Sequence, residues 1–221
     1  MANYEVDPAL LASRVPAGTK LDLHDGRCFV SLVGFMFLDT RVMDFLVPFH
    51  INFEEVNLRF YVRRETPEET RRGVVFVKEI VPRYAIAKVA RTLYGEPYEC
   101  WTMAHECTED QVEYAWNKGS CNNRLSLHRG RNLGVPSENS HGEFIIEHYW
   151  GYTKRGPNRT DEYKVEHPKW DLFGSEDTNI DVDFACTYGP EFAFLNQQQP
   201  FSILLAKGSE IAVYKGKTIN V

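Results

Sequence analysis

The clearest pattern in the chain is a strict alternation of apolar and polar residues over positions 54–63. Successive side chains of a β-strand point to opposite faces, so this period of two predicts a strand. One face carries Val56, Leu58, Phe60 and Val62, and the other carries Glu55, Asn57, Arg59, Tyr61 and Arg63. We expect a strand that is half-buried or faces two interiors. Its apolar face should pack against a helix or the outer layer of a barrel, and its polar face should look inward.

Other segments carry the signals of a hairpin, of central strands and of one helix. Asp25-Gly26 separates two strand-like runs, and this pair favours a tight turn with positive φ. Residues 29–38 and 73–80 have few polar breaks, which is typical of buried strands. Helical spacing over 82–94 predicts a helix whose apolar positions are Ile86, Val89, Ala90 and Leu93.

The rest of the chain consists of short strand-like runs separated by turn residues, over 98–107, 111–117, 123–128, 142–153, 160–167 and 210–214. Residues 129–141 are rich in glycine, proline and polar side chains, which predicts a loop and a candidate lid. No repeat or linker marks a domain boundary. The pattern therefore predicts one mostly β domain over 1–221, of the α+β class and barrel-like, with one main flanking helix.

Composition and charge narrow the range of partners. The 221 residues are 43% hydrophobic and 25% charged, which is typical of a globular protein. A net charge of −6 provides no basis for binding nucleic acid or anionic lipid. No apolar run approaches the ~20 residues of a membrane helix, and the N-terminus lacks the features of a signal peptide. The five cysteines have no framework spacing, so we expect a cytoplasmic protein with reduced thiols.

The polar face of 54–63 is the most informative candidate for chemistry. It places Glu55, Asn57, Arg59 and Tyr61 in a row, about 6–7 Å between neighbours. If this face lines a cavity, Arg59 can hold a carboxylate while a partly desolvated Glu55 accepts or donates a proton. The alternative is a solvated outer face with cross-strand ion pairs. Spacing alone does not choose between them.

A second candidate is His148, which falls within the predicted strand 142–153. Its face would also carry Phe144, Ile146, Trp150 and Tyr152, so we expect the imidazole to be buried. Buried histidines are more often structural than catalytic, but the pKa of imidazole makes His148 the best proton carrier available.

We predict no metal and no cofactor. Cys100, His105, Cys107 and Cys121 match no paired-ligand spacing for zinc. Residues 177–183 lack the glycine and the final acid of a calcium loop, and an aspartate there is better explained as a helix N-cap. The sequence also lacks the glycine-rich nucleotide loops, the serine-hydrolase elbow and the zincin motif.

Several motifs together resemble a known family. They are Asn52-Phe-Glu-Glu-Val-Asn-Leu-Arg-Phe-Tyr-Val-Arg63, Gly73-Val-Val-Phe, Tyr84 to Tyr98, His167-Pro-Lys-Trp170 and Ala206-Lys-Gly-Ser209. In this order, over nearly the whole chain, they resemble the YqjF-like bacterial proteins. That family is similar in fold to acetoacetate decarboxylase, so the resemblance implies an antiparallel β-barrel with a small-molecule cavity and a flanking helix.

The resemblance also implies where a nucleophile would lie. The decarboxylases use a lysine that forms a Schiff base with a β-keto acid and follows a glycine-aromatic-proline turn. The resembling segment here is Gly95-Glu-Pro-Tyr98, so a tyrosine stands at that position. The nearest substitute, Lys88, lies within the predicted helix and would point elsewhere. Glu55 resembles the decarboxylase glutamate, so a polar cavity without the nucleophile is expected.

Two functions remain open. The first is a small-molecule site, binding or enzymatic, for a small anionic or keto-acid ligand, with Glu55, Asn57, Arg59, Tyr61, Tyr98 and His148 as candidate binding residues. The second is a non-catalytic interaction or dimerisation module that needs no pocket and forms a homodimer. The sequence does not decide whether any reaction is catalysed.

Overall fold

The computed structural model describes residues 1–38, 41–42, 45–46, 52–93 and 95–221. Strands dominate these ranges, as predicted. They are β1 (Ala2–Val6), β2 (Lys20–Leu21), β3 (Cys28–Phe37), β4 (Arg41–Val42), β5 (Phe45–Leu46), β6 (Phe53–Glu65), β7 (Thr70–Val81), β8 (Tyr98–Cys100), β9 (Thr102–Cys107), β10 (Gln111–Lys118), β11 (Cys121–Gly134), β12 (Trp150–Gly156), β13 (Arg159–Glu166), β14 (Leu172–Asp181), β15 (Ser202–Ile203), β16 (Leu205–Ala206), β17 (Ala212–Val213) and β18 (Lys217–Asn220).

Two large sheets build the molecule. The first has the order β15-β1-β3-β6-β7-β12-β13-β17, with β2, β8 and β18 attached at its margins, and the second has the order β16-β14-β11-β10-β9. Most pairs are antiparallel, but β8 and β12 each pair with β7 in parallel. Both sheets are open in the described ranges, so the predicted closure into a barrel is not confirmed.

Strand β6 lies at the centre of the first sheet, between β3 and β7, and both of its faces are covered. Its apolar face, which includes the fully buried Leu58 and Phe60, packs into the main core with Trp116 and Leu125 of the second sheet. This face therefore packs against the second sheet, whereas the expected partner was the helix or the outer layer of a barrel. On the other face Glu55 and Asn57 are each 1% exposed, so the strand faces two interiors rather than solvent.

The predicted main helix is α2, Tyr84–Leu93, and it covers one end of the sheet. Ala87 is fully buried in a small cluster with Phe53 and Val81. The chain leaves the helix through Gly95, whose φ of +67° is a conformation that glycine adopts without strain.

Two expectations for the second half of the chain are wrong. The first half of the predicted lid over 129–141 is strand, because β11 continues to Gly134, and only residues 135–140 lie outside regular elements. The predicted strand 142–153 begins as a short helix, α3 (His141–Ile146), whose first turn is capped by the side chain of Ser140. Its three apolar residues are adjacent and all buried, which an alternating strand with one covered face would not allow.

The remaining helical segments are α1 (Pro8–Leu11), α4 (Phe184–Tyr188) and a 3-10 helix (Pro190–Asn196). Asp183 caps α4 by accepting from the backbone N–H of Cys186 at 2.9 Å, as expected for an aspartate of the 177–183 segment. The Asp25-Gly26 turn is confirmed, with φ of +50° and +77°. In the described ranges no helix has the length and apolar content needed to cross a membrane.

A disulfide joins the second sheet to α4. Cys121, at the start of β11, is bonded to Cys186, with a Cα–Cα distance of 6.0 Å. The expectation that all five thiols are reduced is therefore wrong for this pair. Cys28, Cys100 and Cys107 are free. Within the described part of the chain, no group of three or more His, Cys, Asp or Glu side chains is placed to hold a metal ion.

Candidate functional site

Strand register brings polar residues from three separate segments onto one face of the first sheet. Asn57 of β6 lies opposite Glu79 of β7, and Glu79 lies beside Tyr98 of β8. Residues in register on neighbouring strands point to the same side, so these three form a row across the sheet. Glu55 lies two residues before Asn57 and shares that face.

Glu55 has hydrogen bonds to both carboxylate oxygens. The phenol of Tyr98 donates to Oε2 at 2.9 Å, and Nδ2 of Asn57 donates to Oε1 at 2.9 Å. The residue is 1% exposed, so protein groups rather than bulk water surround the carboxyl. The side chain is held in one orientation with Tyr98 directly against it.

Two further glutamates complete what we call the acidic cluster: Glu55, Glu79 and Glu96. Glu79 is 2% exposed and Glu96, in the turn before β8, is 4% exposed. Thr153 donates to Oε1 of Glu96 at 2.7 Å, and Tyr163 hydrogen-bonds to the same carboxyl. Glu79 hydrogen-bonds to Tyr98, while its Oε2 is buried with no partner.

Burial raises the pKa of all three carboxyls, and repulsion from a neighbouring carboxyl adds to this for Glu79 and Glu96. Burial raises the pKa of Glu55 to about 7, against the lowering effect of its hydrogen bonds and of Arg59. Burial also raises the pKa of Glu96 to about 7, and the charge of Glu55 adds to this. Burial, followed by the charges of Glu96 and Glu55, raises the pKa of Glu79 well above its usual range. At neutral pH the cluster therefore keeps at least one proton, and two of its carboxyls can exchange protons.

Arg59 lies further along the same face of β6. Its Nη2 donates to the backbone oxygen of Ile145, in α3, at 3.3 Å, and its Nε is buried with no partner. The guanidinium carbon lies 5.8 Å from the centre of the Tyr61 ring. Its positive charge lowers the pKa of Glu55 and of His148, so Arg59 is within electrostatic reach of both.

His148 forms a buried pair with Asp22. Nε2 of the ring lies 3.2 Å from Oδ2 of Asp22, and Nδ1 is buried with no partner. Burial, which outweighs the interaction with Asp22, lowers the pKa of His148 to about 4, so the imidazole is neutral at neutral pH. Because an ionised carboxylate only accepts, Nε2 carries the hydrogen and Nδ1 presents a free lone pair.

The six residues proposed from the sequence fall into two groups that Arg59 connects. Glu55, Asn57 and Tyr98 are joined by hydrogen bonds. Arg59, Tyr61 and His148 lie together, with the Tyr61 and His148 ring centres 4.7 Å apart. The hydroxyl of Tyr61 is engaged by Ser31 at 2.6 Å, so Tyr61 contributes its ring rather than a free hydroxyl.

The sequence analysis missed Asp22, Glu79, Glu96 and Tyr163. A signal existed for Glu79, because an acid inside the apolar run 73–80 must be buried if the strand is central, and a buried carboxyl needs partners. Glu96 and Tyr163 have no comparable local signal. They reach the cluster only because β8 and β12 pair with β7 in parallel.

All lysines are exposed except Lys78, which is partly buried and lies on the opposite side of β7 from Glu79. Its Nζ is 2.9 Å from Oε1 of Glu99 and 5.8 Å from the centre of the Trp101 ring. Lys88 is exposed on α2.

Solved structures with this architecture define the fold class. The chain aligns with acetoacetate decarboxylase from Legionella pneumophila at a TM-score of 0.63 and 12% identity, covering 99% of this chain and 82% of that one. An acetoacetate decarboxylase-like enzyme from Sphingomonas wittichii gives 0.61 and 16%, covering 99% and 87%. The enduracididine biosynthesis enzyme MppR complexed with pyruvate gives 0.60 and 12%, covering 98% and 83%. The fold is therefore acetoacetate decarboxylase-like.

Sequence similarity then gives the family. The model of the DUF2071 family, described as "Uncharacterized conserved protein", matches residues 1–210, and the chain belongs to this family. It is also 26% identical over 180 residues to "Uncharacterized protein YqjF" of Bacillus subtilis, covering 79% of this chain and 72% of that protein. The resemblance seen in the sequence motifs is confirmed.

Proposed function

We propose that the protein binds a small carboxylate or keto acid between Arg59 and the acidic cluster, and that this site handles protons without a Schiff-base lysine. The observation that carries the proposal is the direct hydrogen bond between Tyr98 and the buried Glu55. A phenol held against a carboxyl whose pKa is about 7 can orient a ligand oxygen and exchange a proton with it.

Arg59 is the group proposed to bind the ligand carboxylate. Its guanidinium has one long hydrogen bond, to a backbone oxygen, and its Nε has none. A half-buried guanidinium with unused donors favours an anionic partner, because a carboxylate accepts two parallel N–H bonds from it. The carbonyl oxygen of the same ligand would then receive a hydrogen bond from Tyr98 or from protonated Glu79.

The absence of imine chemistry is part of the proposal. Tyr98 stands at the position that resembles the nucleophile of the decarboxylases, and a phenol cannot form an imine. Burial raises the pKa of Tyr98, so it stays a neutral donor. The exposed positions of the lysines agree with this. Among proteins of the same fold, MppR has been solved with pyruvate, which supports a keto acid as the ligand class.

A thermal-shift screen of small carboxylic and keto acids tests the proposal. We expect a subset to raise the melting temperature, and Arg59→Ala to abolish the shift. Arg83→Ala is the matched control, because Arg83 is exposed and its substitution removes the same charge at a distant surface position. Tyr98→Phe should weaken binding by about 0.5–1.5 kcal/mol, as the loss of one hydrogen bond implies. Tyr84→Phe, at a residue 64% exposed, should leave binding unchanged.

Two results would contradict the proposal. One is that no acid in the screen stabilises the protein. The other is stabilisation that persists in both Arg59→Ala and Tyr98→Phe, which would place the ligand elsewhere. The first result, together with a dimer in light scattering, would favour the interaction-module hypothesis instead.

A further inference from the structure

The two sheets end in strands of very different length. The end strands β15 and β17 of the first sheet and β16 of the second are each two residues long. The other end of the second sheet is β9, which has six residues. A short end strand exposes few backbone groups, whereas a long one presents a row of N–H and C=O groups that can pair with another strand. Among these four ends, β9 is therefore the one suited to adding a strand.

The outer edge of β9 carries none of the usual protection against such pairing. Its inner edge pairs with β10 along the whole strand without a register shift, and no other described strand pairs with it. Five of its six residues are exposed, and only Met103 is partly buried. The strand lacks the proline, lysine and bulge by which proteins block edge pairing. Within the described ranges, its outward backbone groups therefore have no strand partner.

β9 has one face toward the first sheet and one toward the outside. His105 lies opposite the buried Tyr114 of β10, and its Nδ1 is 3.2 Å from Oε2 of Glu54 in β6. Ala104 lies opposite Ala115 and is exposed. Because side chains alternate along a strand, odd-numbered residues of β9 face the core and even-numbered residues face outward. This alternation restricts how a second strand can be added.

We propose that two copies of this chain form a dimer in which their β9 strands pair antiparallel, centred on Ala104. Two identical edges that pair in this way are related by a two-fold axis perpendicular to the sheet, so the residue on the axis lies opposite itself. Glu106 on the axis would oppose two carboxylates, which is destabilising, and His105 is already engaged by Glu54. Ala104 is small and uncharged. With Ala104 on the axis, Glu106 lies opposite Thr102 of the partner subunit.

Analytical ultracentrifugation of the full chain over a concentration series tests the proposal. We expect a dimer that Ala104→Lys weakens at least tenfold, because two ammonium groups would then lie opposite each other. Ala85→Lys is the matched control, since Ala85 is an exposed alanine of α2, and it should leave the dimer unchanged. Circular dichroism checks that both variants are folded.

Disulfide cross-linking tests the same pairing without adding a charge. Direct pairing places the two Cα atoms of residue 104 about 4.5–5.5 Å apart, which a disulfide can span. With the exposed Cys107 replaced by serine, Ala104→Cys should give a cross-linked dimer under mild oxidation. Thr102→Cys should not, because residue 102 lies about 14 Å along the strand from its copy.

A monomer at every concentration would overturn the proposal. A dimer that Ala104→Lys leaves intact would also overturn it, as would cross-linking of Thr102→Cys in preference to Ala104→Cys. Arg59→Ala should leave the dimer intact, because Arg59 belongs to β6 and not to the β9 edge. The dimer and the proposed keto-acid site are therefore tested separately.

Discussion

Replacing Glu55 with glutamine should stabilise the protein above neutral pH, although Glu55 is hydrogen-bonded on both oxygens. The substitution is nearly isosteric and removes only the ionisable group. The glutamine oxygen can still accept from Asn57. Tyr98 loses its acceptor at Oε2, but its phenol also hydrogen-bonds to Glu79, so the cost is at most one hydrogen bond, about 0.5–1.5 kcal/mol.

Ionisation of a buried acid destabilises the wild-type protein, and Glu55→Gln removes this effect. The pKa of Glu55 rises from the usual 4.5 to about 7 in the folded state, so the folded protein holds this proton more tightly than the unfolded chain. Stability is therefore lost as pH rises from 4.5 through 7. The loss is under about 1 kcal/mol at pH 5 and about 3 kcal/mol at pH 8, since one pKa unit corresponds to ~1.4 kcal/mol. Glu55→Gln should be nearly neutral at pH 5 and stabilising by about 2 kcal/mol at pH 8.

Urea unfolding followed by tryptophan fluorescence, at fixed pH values between 5 and 8, measures this difference. Glu138→Gln is the matched control, because Glu138 is exposed and its removal should not change the pH dependence. The reasoning is refuted if the stability difference between Glu55→Gln and the wild type is flat with pH. It is also refuted if Glu55→Gln becomes more destabilising as pH rises.

Three further outcomes are expected. Phe60→Ala should lower the free energy of unfolding by about 3–5 kcal/mol, because Phe60 is fully buried in the main core, whereas Phe194→Ala, at a residue 44% exposed, should cost under about 1 kcal/mol. Cys186→Ser should destabilise the protein by up to about 4 kcal/mol, the chain-entropy value for a loop of 65 residues, and dithiothreitol should have little effect on that variant. Borohydride treatment with acetoacetate should leave every lysine unmodified in mass spectrometry, and a trapped adduct on any lysine would establish a Schiff-base site.

Local sequence patterns were sufficient to predict features that depend only on neighbouring residues in the chain. The direction of a side chain along a strand depends on its own backbone, so the alternation of 54–63 predicted which residues of β6 share a face. Helical spacing placed α2 within one or two residues of its ends, and Asp25-Gly26 placed a turn. The order of the sequence motifs likewise pointed to the family over nearly the whole chain.

Other features depended on which segments become neighbours. The alternating pattern of β6 did not say what covers its apolar face, because the second sheet comes from residues much later in the chain. Residues 142–148 have an apolar pattern compatible with strand or helix, and burial on all sides together with the Ser140 cap selects the helix. The disulfide likewise depends on α4 folding back against β11.

The acidic cluster shows most clearly which features the sequence determined and which depended on the tertiary structure. The sequence by itself determined that Glu55, Asn57 and Arg59 share one face of a strand, because the two-residue period is a property of the strand alone. The family resemblance added Tyr98, but only the tertiary structure decided that Glu79 and Glu96 join them, because strand register and parallel pairing are set by contacts distant in sequence. The raised pKa values follow from that assembly, since desolvation and repulsion between carboxyls exist only once the three glutamates are buried together.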